Sequence, residues 1–357
     1  MERDISKIYF IVPAPPGISP SQRFRHEHYL SKLRENNFHF KISSFYSFKS
    51  WKTLYTYGHK FEKILFVFYG LFRRLKDLFG LINYNFVYIH REAAPVGPPF
   101  FEWMIAKILR KKIIYDFDDA IWIPVTSEYN TAAAKFKWPG KVSKICKWSY
   151  KISVGNQFLL EFALKYNSRI YIIPTVLNTQ SLKQQDQQTL KPAIGWTGSF
   201  STLKYLDIVL PVLQELQKKH DFMFIVIADK DPQLPLTNYK FIQWRKETEV
   251  NDLLNFHIGI MPLYDDDLSK GKCGFKAIQY MSIGIPAVVS PVGVNADIVD
   301  EGVNGFLCSN ENDWKAKLEK LLTDPLLRTA FGHSAKEKIN NKYSVQATEQ
   351  KFLNLFN

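Results

Sequence analysis

The sequence has few cysteines and no long apolar run. Its three cysteines, Cys146, Cys273 and Cys308, are far apart, form no CxxC pair and make no metal-binding pattern with the eight histidines. This usage predicts no metal site and indicates a reducing, cytoplasmic environment. The longest apolar run, residues 64–72, has nine residues, whereas a membrane-spanning helix needs roughly 18–20. We therefore expect that no segment crosses a membrane.

Length and composition bound the number of domains and the class of protein. At about 100–200 residues per domain, a chain of 357 residues is expected to form two domains. Hydrophobic residues make up 46% and charged residues 23% of the chain. These fractions are typical of a folded protein and exclude an intrinsically disordered one.

Positive charge is concentrated in the first half of the chain. Residues 1–190 carry 28 lysines and arginines against 14 acidic residues, and residues 191–357 carry 19 against 20. The first half therefore has a net charge of +14 and the second half of −1, so we expect an anionic partner for the first half. The sequence contains no recognised nucleic-acid-binding motif, and no nucleic acid is expected among its partners.

Short β-rich runs alternate with helical patterns in both halves. Strands are predicted at residues 7–12, 39–43, 85–90, 112–116, 151–154 and 170–174, and again at 193–197, 223–228, 240–243, 258–263, 287–290 and 306–308. Helices are predicted at 23–35, 61–80, 100–109 and 158–166, and at 203–219, 247–255, 275–282, 311–322 and 325–340. This alternation favours parallel sheets covered on both faces, and the polar stretch 178–192 is typical of a linker. The expected fold is α/β, with two Rossmann-like domains that face each other across a ligand-binding cleft.

An amphipathic, aromatic and basic helix is predicted at residues 61–80. The apolar positions 61, 64, 65, 68, 71, 72, 75, 78 and 79 follow one helical stripe, and Lys60, Lys63, Arg73, Arg74 and Lys76 lie around it. Such a helix either packs its stripe on the sheet with a charged rim outward or binds a membrane surface. The charge of the first half favours the membrane, since each basic residue near anionic lipid contributes about 1 kcal/mol.

Two glycine-bearing turns in the second half are candidate phosphate sites. In the turn at 195–202, Gly198 lets the backbone approach a ligand, Ser199 adds a hydroxyl and Lys204 follows with a positive charge. A helix start of this kind either binds phosphate or is an ordinary cap. In the second turn, Lys272 and Lys276 flank the predicted start of the helix at 275–282, where a diphosphate needs cations beside unpaired N–H groups.

The second turn carries a resemblance to a known family. Gly-Phe-Lys-x-x-Gln-Tyr-Met-Ser-x-Gly-x-Pro at 274–286, followed by Val-Val-Ser-Pro-Val-Gly-Val-Asn at 288–295, resembles the carboxy-terminal domain of glycosyltransferase family 4, and in particular a subgroup of bacterial polysaccharide enzymes. The family consists of retaining enzymes of the GT-B fold. The resemblance extends from about residue 194 to residue 343. It implies transfer of a sugar from a nucleotide-sugar to an acceptor hydroxyl, without a metal and with no cofactor besides that substrate.

The resemblance also implies domain boundaries and donor-site residues. It implies an acceptor- and membrane-facing domain at 1–185, a nucleotide-sugar donor domain at 186–343, and a carboxy-terminal helix at 344–357 that packs back on the first domain. Gly198, Ser199 and Lys204 would bind the donor diphosphate, Lys272, Gly274, Phe275 and Lys276 the transferred sugar and phosphate, Gln279 the ribose, and Trp244 the base.

Three positions depart from the family pattern. The first glutamate of the family's Glu-x7-Glu signature falls at Gly271, and the second falls at Gln279, which keeps hydrogen bonding but loses the charge. The common arginine of the first phosphate loop is Ser199 here. The diphosphate charge is then left to Lys204 and to Lys272 or Lys276.

Acceptor-side candidates lie in the first half. Asp118 and Asp119 follow a predicted strand, where family members often carry a histidine, and a carboxylate there could orient an acceptor hydroxyl and accept its proton. A capping role is equally compatible with the pattern. Arg23 and Arg25 follow the loop after the first strand and either hold an acceptor or donor phosphate or belong to a solvated helix.

The sequence as a whole therefore predicts a retaining glycosyltransferase on the cytoplasmic face of the cell membrane. Its expected partners are a nucleotide-sugar donor, a glycan or lipid-linked acceptor and an anionic membrane surface. The product would be a cell-envelope polysaccharide, such as lipopolysaccharide, or a lipid-linked glycan. The alternative is a catalytically silent GT-B subunit that binds a partner or a nucleotide, as the missing first glutamate suggests.

Overall fold

The chain folds into two compact units. A computed structural model describes residues 6–124, 138–180, 182 and 191–357. The first unit comprises Met1–Thr175 together with Thr348–Asn357, and the second comprises Val176–Ala347. Most of the stretch predicted as a linker, 178–192, lies outside the described residues.

The first unit is built on a parallel sheet. Its strands are β1 (Lys7–Val12), β2 (His39–Ser44), β3 (Phe86–His90), β4 (Lys112–Phe117), β5 (Lys151–Val154) and β6 (Ile170–Ile172). They are ordered β2-β1-β3-β4-β5-β6 and every neighbouring pair is parallel. Almost every residue of β1, β3 and β4 is buried, because both faces of the sheet are covered. This is why these segments are nearly continuous apolar runs in the sequence.

Helices of the first unit connect these strands. They are α1 (Pro20–Arg25), α2 (Leu30–Glu35), α3 (Phe48–Leu54), α4 (Lys60–Gly80), α5 (Phe100–Trp103), α6 (Lys141–Trp148) and α7 (Gln157–Leu164). The single helix predicted over 23–35 is divided, because His26 leaves the helical region with φ −137° and a 3₁₀ turn follows. The helix predicted over 100–109 is α5 followed by a π-helical turn.

Helix α4 has a polar buried face. Gly70, Arg74 and Asp77 face the interior, whereas Phe61, Phe79 and most of the predicted apolar stripe are exposed. The alternative in which the apolar stripe packs on the sheet is therefore wrong.

The second unit contains a second parallel sheet. Its strands are β7 (Ala193–Gly198), β8 (Met223–Ala228), β9 (Tyr239–Gln243), β10 (Ile258–Met261), β11 (Ala287–Val289) and β12 (Gly305–Leu307). They are ordered β12-β11-β10-β7-β8-β9. The strand order reverses between β7 and β10 here, and between β1 and β3 in the first unit. Ligands of open α/β sheets bind at the carboxyl ends of the strands beside such a reversal.

The remaining helices belong to the second unit, except α15, most of which lies in the first unit. They are α8 (Leu210–Gln217), α9 (Glu249–Leu253), α10 (Asp267–Lys270), α11 (Phe275–Ser282), α12 (Asn295–Ile298), α13 (Glu311–Thr323), α14 (Pro325–Lys342) and α15 (Val345–Leu353). The helix predicted over 203–219 is instead a 3₁₀ segment, Phe200–Ile208, followed by α8. Each of the twelve predicted strands is present, with ends that differ by at most two residues.

The last ten residues of the chain belong to the first unit. The ring of Phe352 stacks on Tyr29 with centroids 4.1 Å apart and planes 4° apart. The Tyr29 hydroxyl is hydrogen-bonded to Thr348 Oγ1 at 2.6 Å. Tyr29, Phe352 and Phe356 are all buried, so this segment is part of the first unit's core.

Candidate functional site

The turn after β7 lies at the strand reversal of the second unit. Ser199 precedes the 3₁₀ segment, and its hydroxyl is hydrogen-bonded to that of Ser201 at 2.9 Å. The Phe200 N–H donates to Asp229 Oδ1 at 2.5 Å and the Thr202 N–H donates to the Ser199 carbonyl. The predicted α-helix start is thus wrong here, and the protein itself uses two of the N–H groups that such a start would offer to phosphate.

Gly198 is required by the close approach of an aromatic ring. A Cβ atom at this position would lie 2.5 Å from the Trp196 ring and 2.8 Å from Thr202 Oγ1. Trp196 is buried, and Lys276 Nζ lies over its ring at 5.4 Å from the centroid. Two predicted donor-site residues, Gly198 and Lys276, therefore meet at one tryptophan.

Lys204 and Lys272 place their ammonium groups over one tyrosine ring. Lys204 Nζ is 5.4 Å and Lys272 Nζ is 5.7 Å from the ring centroid of Tyr205, within the range of cation–π contacts. The buried Tyr205 hydroxyl accepts a hydrogen bond from Ser269 Oγ at 3.2 Å, and the Tyr264 hydroxyl donates to the Lys204 carbonyl at 3.4 Å. These contacts bring together two predicted phosphate-binding lysines that follow different strands.

Helix α11 is held firmly against the sheet. Gly274, which precedes it, has φ +64°, and a Cβ there would lie 2.1 Å from Ile298 Cδ1, so only glycine fits. The Tyr280 hydroxyl accepts from the Thr197 N–H at 3.0 Å and donates to the Ile260 carbonyl at 3.4 Å. The helix is thereby tied to both strands at the reversal, and Phe275, its half-buried first residue, begins at that edge.

A carboxylate that the sequence interpretation overlooked lies beside Gln279. Gln279 Nε2 donates to Glu249 Oε1 at 3.2 Å, and Gln279 is only 7% exposed. Glu249 is the first residue of α9, thirty positions earlier in the chain, so no local motif connects the two. The pair restores a negative charge near the position where the family's second glutamate is lost.

Trp244 lies farther along the same edge of the sheet. It follows β9, and its backbone N–H donates to the Ala228 carbonyl at 2.8 Å. In the sheet order, β9 is two strands from β7, a separation of about 10 Å. Trp244 therefore lies apart from the lysine-bearing turns.

The carboxyl edge of the first unit contains a buried polar cluster. Arg25 Nη2 donates to Asp116 Oδ1 at 2.5 Å and to Ser153 Oγ at 2.9 Å, and Nη1 donates to the Ile173 carbonyl. His90 Nδ1 donates to the other Asp116 oxygen at 2.8 Å, and its Nε2 is hydrogen-bonded to the Ser21 hydroxyl. Burial opposes ionisation of Asp116, but Arg25 and His90 outweigh it and hold the pKa of this carboxyl well below its usual range.

This cluster corrects the expectation for Arg25. Its side chain is fully buried and its guanidinium is bonded to a carboxylate, a hydroxyl and a carbonyl. Arg25 is therefore a structural partner of Asp116 and not a ligand for an external phosphate. Arg23 is also buried, and its guanidinium lies 4.5 Å from the Phe24 ring centroid, which does not correspond to a solvated first helix.

Both predicted acceptor-site carboxylates contact one arginine. Arg91 Nη2 donates to Asp118 Oδ1 at 2.8 Å and also donates to Asp119. Burial would raise the pKa of Asp118, but the charges of Arg91 and His90 lower it. A carboxylate with a lowered pKa is a weaker general base, which weighs against Asp118 as the residue that accepts the acceptor proton; that role stays a prediction. Asp119 is the more exposed of the two, at 40% of its side chain.

A buried histidine is the least expected group at this edge. Neither ring nitrogen of His26 has a hydrogen-bond partner within the described residues, and its ring lies against Phe10, Tyr88 and His90. Burial, reinforced by the nearby His90, holds its pKa well below the usual value. The sequence interpretation did not connect His26 with His90.

Within the described part of the chain, no group of three His, Cys, Asp or Glu residues could hold a metal ion. Among the same residues, no helix is both long and apolar enough to cross a membrane.

Comparison with known proteins identifies the family of the second half. Residues 191–324 match the family model described as glycosyl transferases group 1. The chain carries a group 1 glycosyl transferase domain. Poly(ribitol-phosphate) alpha-N-acetylglucosaminyltransferase of Staphylococcus aureus (strain COL) is 33% identical to it over 87 residues, which are 24% of this chain. The match spans only 18% of that relative's length.

Solved structures resemble nearly the whole chain. Sucrose-phosphate synthase from Thermosynechococcus elongatus superimposes with a TM-score of 0.72 at 12% identity, covering 98% of each chain. Anabaena Alr3699/HepE, solved in complex with UDP and glucose, superimposes with a TM-score of 0.66 at 14% identity, covering 98% of this chain and 99% of that one. At these identities the likeness establishes the fold alone. It confirms that this chain has the α/β GT-B fold.

Proposed function

We propose that this chain is a retaining glycosyltransferase that transfers a sugar from a nucleotide-sugar to a hydroxyl of a cell-envelope polysaccharide or lipid-linked glycan. The observation that carries the proposal is the grouping of Lys204 and Lys272 on Tyr205, with Lys276 on Trp196. These cations lie at the strand reversal of a parallel sheet, where such folds bind phosphate-bearing ligands. The domain that carries them belongs to the glycosyl transferases group 1 family.

In this proposal the lysines act on the leaving group. The bond between the anomeric carbon and the diphosphate oxygen breaks, and negative charge develops on the departing nucleoside diphosphate. Ammonium groups held in place beforehand stabilise that charge without reorganising during the reaction. The acceptor oxygen forms the new bond to the anomeric carbon, and its proton passes to a carboxylate that acts as the base. Contact of the acceptor hydroxyl with Asp119, whose side chain is the more exposed of the two, fits this step better than contact with Asp118.

We assign the nucleotide ribose to Gln279 and Glu249. The amide of Gln279 is oriented by its hydrogen bond to Glu249, and the pair offers a carboxylate and an amide oxygen to two neighbouring hydroxyls. Because the family's Glu-x7-Glu signature ends at Gln279, this assignment replaces the lost charge with that of Glu249. Gly198, Ser199, Gly274 and Phe275 would complete the backbone of the donor site, and Trp244 would contact the base.

The donor and acceptor classes are inferred from chemistry and from relatives. The similar Anabaena protein was solved with UDP and glucose, so a UDP-sugar is the first donor to test. The curated relative is named for transfer to poly(ribitol phosphate), which is a polyanion. An anionic acceptor, together with a peripheral location on the cytoplasmic face of an anionic membrane, agrees with the +14 charge of residues 1–190.

The test is donor binding followed by turnover. Thermal shift with UDP-, GDP-, dTDP- and ADP-sugars is measured for the native chain, for Lys276→Met and for Gln279→Ala. Lys342→Met, which alters an exposed lysine at the end of α14, is the matched control. We expect one donor to stabilise the native chain and the control. Lys276→Met should lose about 10- to 100-fold in affinity, since a charged hydrogen bond contributes roughly 1.5–3 kcal/mol. Gln279→Ala should lose about 2- to 10-fold, since a neutral hydrogen bond contributes roughly 0.5–1.5 kcal/mol.

A silent GT-B subunit is the second candidate. It is favoured by Gly271, a buried position with no side chain where the family has its first signature glutamate. Release of nucleoside diphosphate from the bound donor, with or without acceptor, distinguishes the two. Donor binding without any turnover in the presence of envelope glycan acceptors would contradict the enzyme and support the silent subunit.

A further inference from the structure

Helix α4 exposes its apolar side and buries its polar side. Exposed fractions reach 74% for Phe61, 65% for Phe68, 55% for Phe72 and 85% for Phe79. Ile64, Leu65, Tyr69 and Leu75 are also exposed between them. Water-soluble surfaces rarely expose a continuous aromatic and aliphatic stripe of this length unless something binds it.

The orientation of α4 is fixed by its buried polar face. Arg74 donates to the carbonyl oxygens of Val12 and Ala93 at 2.8 and 2.7 Å and to Asp77 at 2.8 Å. Asp77 also accepts hydrogen bonds from Tyr9 and Ser43, each at 2.7 Å. Turning the helix to bury its phenylalanines would move Arg74 and Asp77 into solvent and leave their buried carbonyl and hydroxyl partners without hydrogen bonds.

Gly70 holds the same orientation sterically. A Cβ atom there would lie 2.3 Å from the Phe45 ring, so the helix approaches the body of the unit closely only along its glycine side. The apolar stripe therefore faces outward from the first unit.

The exposed surface continues beyond α4. Phe48 and Tyr55 on and after α3 are 63% and 59% exposed, and Ile82 just after α4 is 71% exposed; α3 packs against α4. We call this surface the α4 face, defined as Phe48, Tyr55, Phe61, Ile64, Leu65, Phe68, Tyr69, Phe72, Leu75, Phe79 and Ile82.

Basic side chains border the α4 face. Lys76 Nζ lies 4.7 Å from the Phe72 ring centroid and the Arg73 guanidinium 5.2 Å from that of Tyr69. Lys60 on α4 and Lys49 and Lys52 on α3 are exposed as well. Lysine and arginine around an aromatic stripe suit the boundary of a bilayer, where rings enter the acyl region and ammonium groups meet lipid phosphates.

We propose that the α4 face is the surface by which this chain binds an anionic lipid bilayer, with α4 lying in the plane of the membrane. A helix of 21 residues is about 30 Å long and would immerse its phenylalanines while α3 and α4 keep their lysines at the headgroups. A second copy of the chain fits less well, because a two-fold contact would bring the two basic borders together. The inference extends the proposed membrane location to a defined surface, and its test does not require turnover.

Vesicle sedimentation tests the surface. Vesicles of phosphatidylcholine alone and of phosphatidylcholine with phosphatidylglycerol in a 7:3 ratio (roughly one anionic lipid in three, enough to attract basic residues) are mixed with the native chain and with Phe61→Ser/Phe68→Ser/Phe72→Ser. The matched control is Val250→Ser/Val303→Ser/Leu326→Ser, three exposed apolar residues of the second unit. We expect the native chain and the control to bind the anionic vesicles and the α4 variant to lose at least tenfold in partitioning.

A charge variant and two further readouts separate the outcomes. Lys60→Glu/Lys76→Glu should weaken binding and reduce its dependence on salt. Donor thermal shift of the α4 variant should stay native, so a failure here is distinguishable from a failure of the donor site. Equal vesicle binding by the α4 variant and the control would overturn the proposal. So would a native dimer that the α4 variant converts to a monomer while neither binds vesicles.

Discussion

Charged side chains at the carboxyl edges of the two sheets have different kinds of partner. In the first unit, Arg25, Asp116 and His90 are buried and bonded to one another. In the second unit, Lys204 and Lys272 sit on an aromatic ring, and a cation over a ring keeps its full formal charge. The first arrangement pairs opposite charges with one another, and the second gathers two ammonium groups on one ring at the position where such folds bind phosphates.

Similar residue types at similar positions of one fold therefore have different roles. An arginine after β1 and a lysine after β7 looked equally suited to phosphate in the sequence. The structure separates them by burial and by partners, which short sequence patterns do not encode.

The largest expected effect comes from removing the guanidinium of Arg25 from the buried cluster of the first unit. Arg25→Met leaves the Asp116 carboxylate buried without its guanidinium, which costs about 3–5 kcal/mol in the free energy of unfolding. Urea titration of the native chain and the variant measures this loss, and Arg34→Met, which removes an exposed arginine of α2, should cost less than about 1 kcal/mol. A variant as stable as the control would show that Arg25 is dispensable and reopen a ligand-binding role for it.

The opposite edge should respond in affinity and not in stability. Lys204→Met/Lys272→Met is expected to lower donor affinity by at least about 100-fold, since charged hydrogen bonds to a diphosphate contribute roughly 1.5–3 kcal/mol each. Because both lysines lie at the surface end of the sheet, the free energy of unfolding should change by less than about 1 kcal/mol. Calorimetric donor titration beside urea titration measures both. Lost stability with retained affinity would make these lysines structural as well.

Histidine 26 gives the first unit a pH dependence. Its pKa is lowered in the folded state, so its full contribution to stability is present above about pH 6.5, the ordinary histidine pKa. As the pH falls below that value, the unfolded state binds one more proton, and the free energy of unfolding decreases by about 1.4 kcal/mol per pH unit. His26→Phe, which keeps a ring beside Phe10 and Tyr88, should remove this slope between pH 6.5 and 5.5. Parallel slopes for both proteins would contradict the assignment.

The smallest expected effect concerns Gln279. Gln279→Glu recreates the family's glutamate but places two carboxylates about 3.2 Å apart, and we expect donor affinity to fall about tenfold through their repulsion. The exchange Gln279→Glu/Glu249→Gln should restore it, because one carboxylate and one amide remain. Tighter donor binding by the single variant would show that Gln279 acts without Glu249.

The strands were predictable because a buried strand appears in the sequence as a short run of apolar residues. Runs such as those of β1 and β3 are apolar over their whole length, and the polar turns between them fix their ends within two residues. The α/β fold with two parallel sheets then follows from the order of the strands and helices. The Gly198 and Gly274 turns were recognisable for the same reason, since glycine marks positions where no side chain fits.

The orientation of α4 and the Gln279–Glu249 contact were not predictable in the same way. A helical stripe shows that two faces differ, but not which of them meets the sheet; that depends on Arg74 and Asp77 finding partners on β1 and β2 and in the loop after β3. Glu249 and Gln279 are thirty residues apart in the sequence, and His26 and His90 are farther apart than that. Contacts between distant segments follow from the folded chain, and one sequence contains no signal for them.

The placement of Phe352 on Tyr29 has a consequence for synthesis. The second unit is encoded between the two segments that make up the first, so a ribosome completes all of the second unit before it releases the residues that cover Tyr29. Tyr29 therefore lacks its stacking partner Phe352 while the second unit is synthesised. A chain that ends at residue 347 would keep the twelve strands described above and Lys204, Lys272 and Lys276. The first unit would nevertheless lack its last ten residues, which include Phe352.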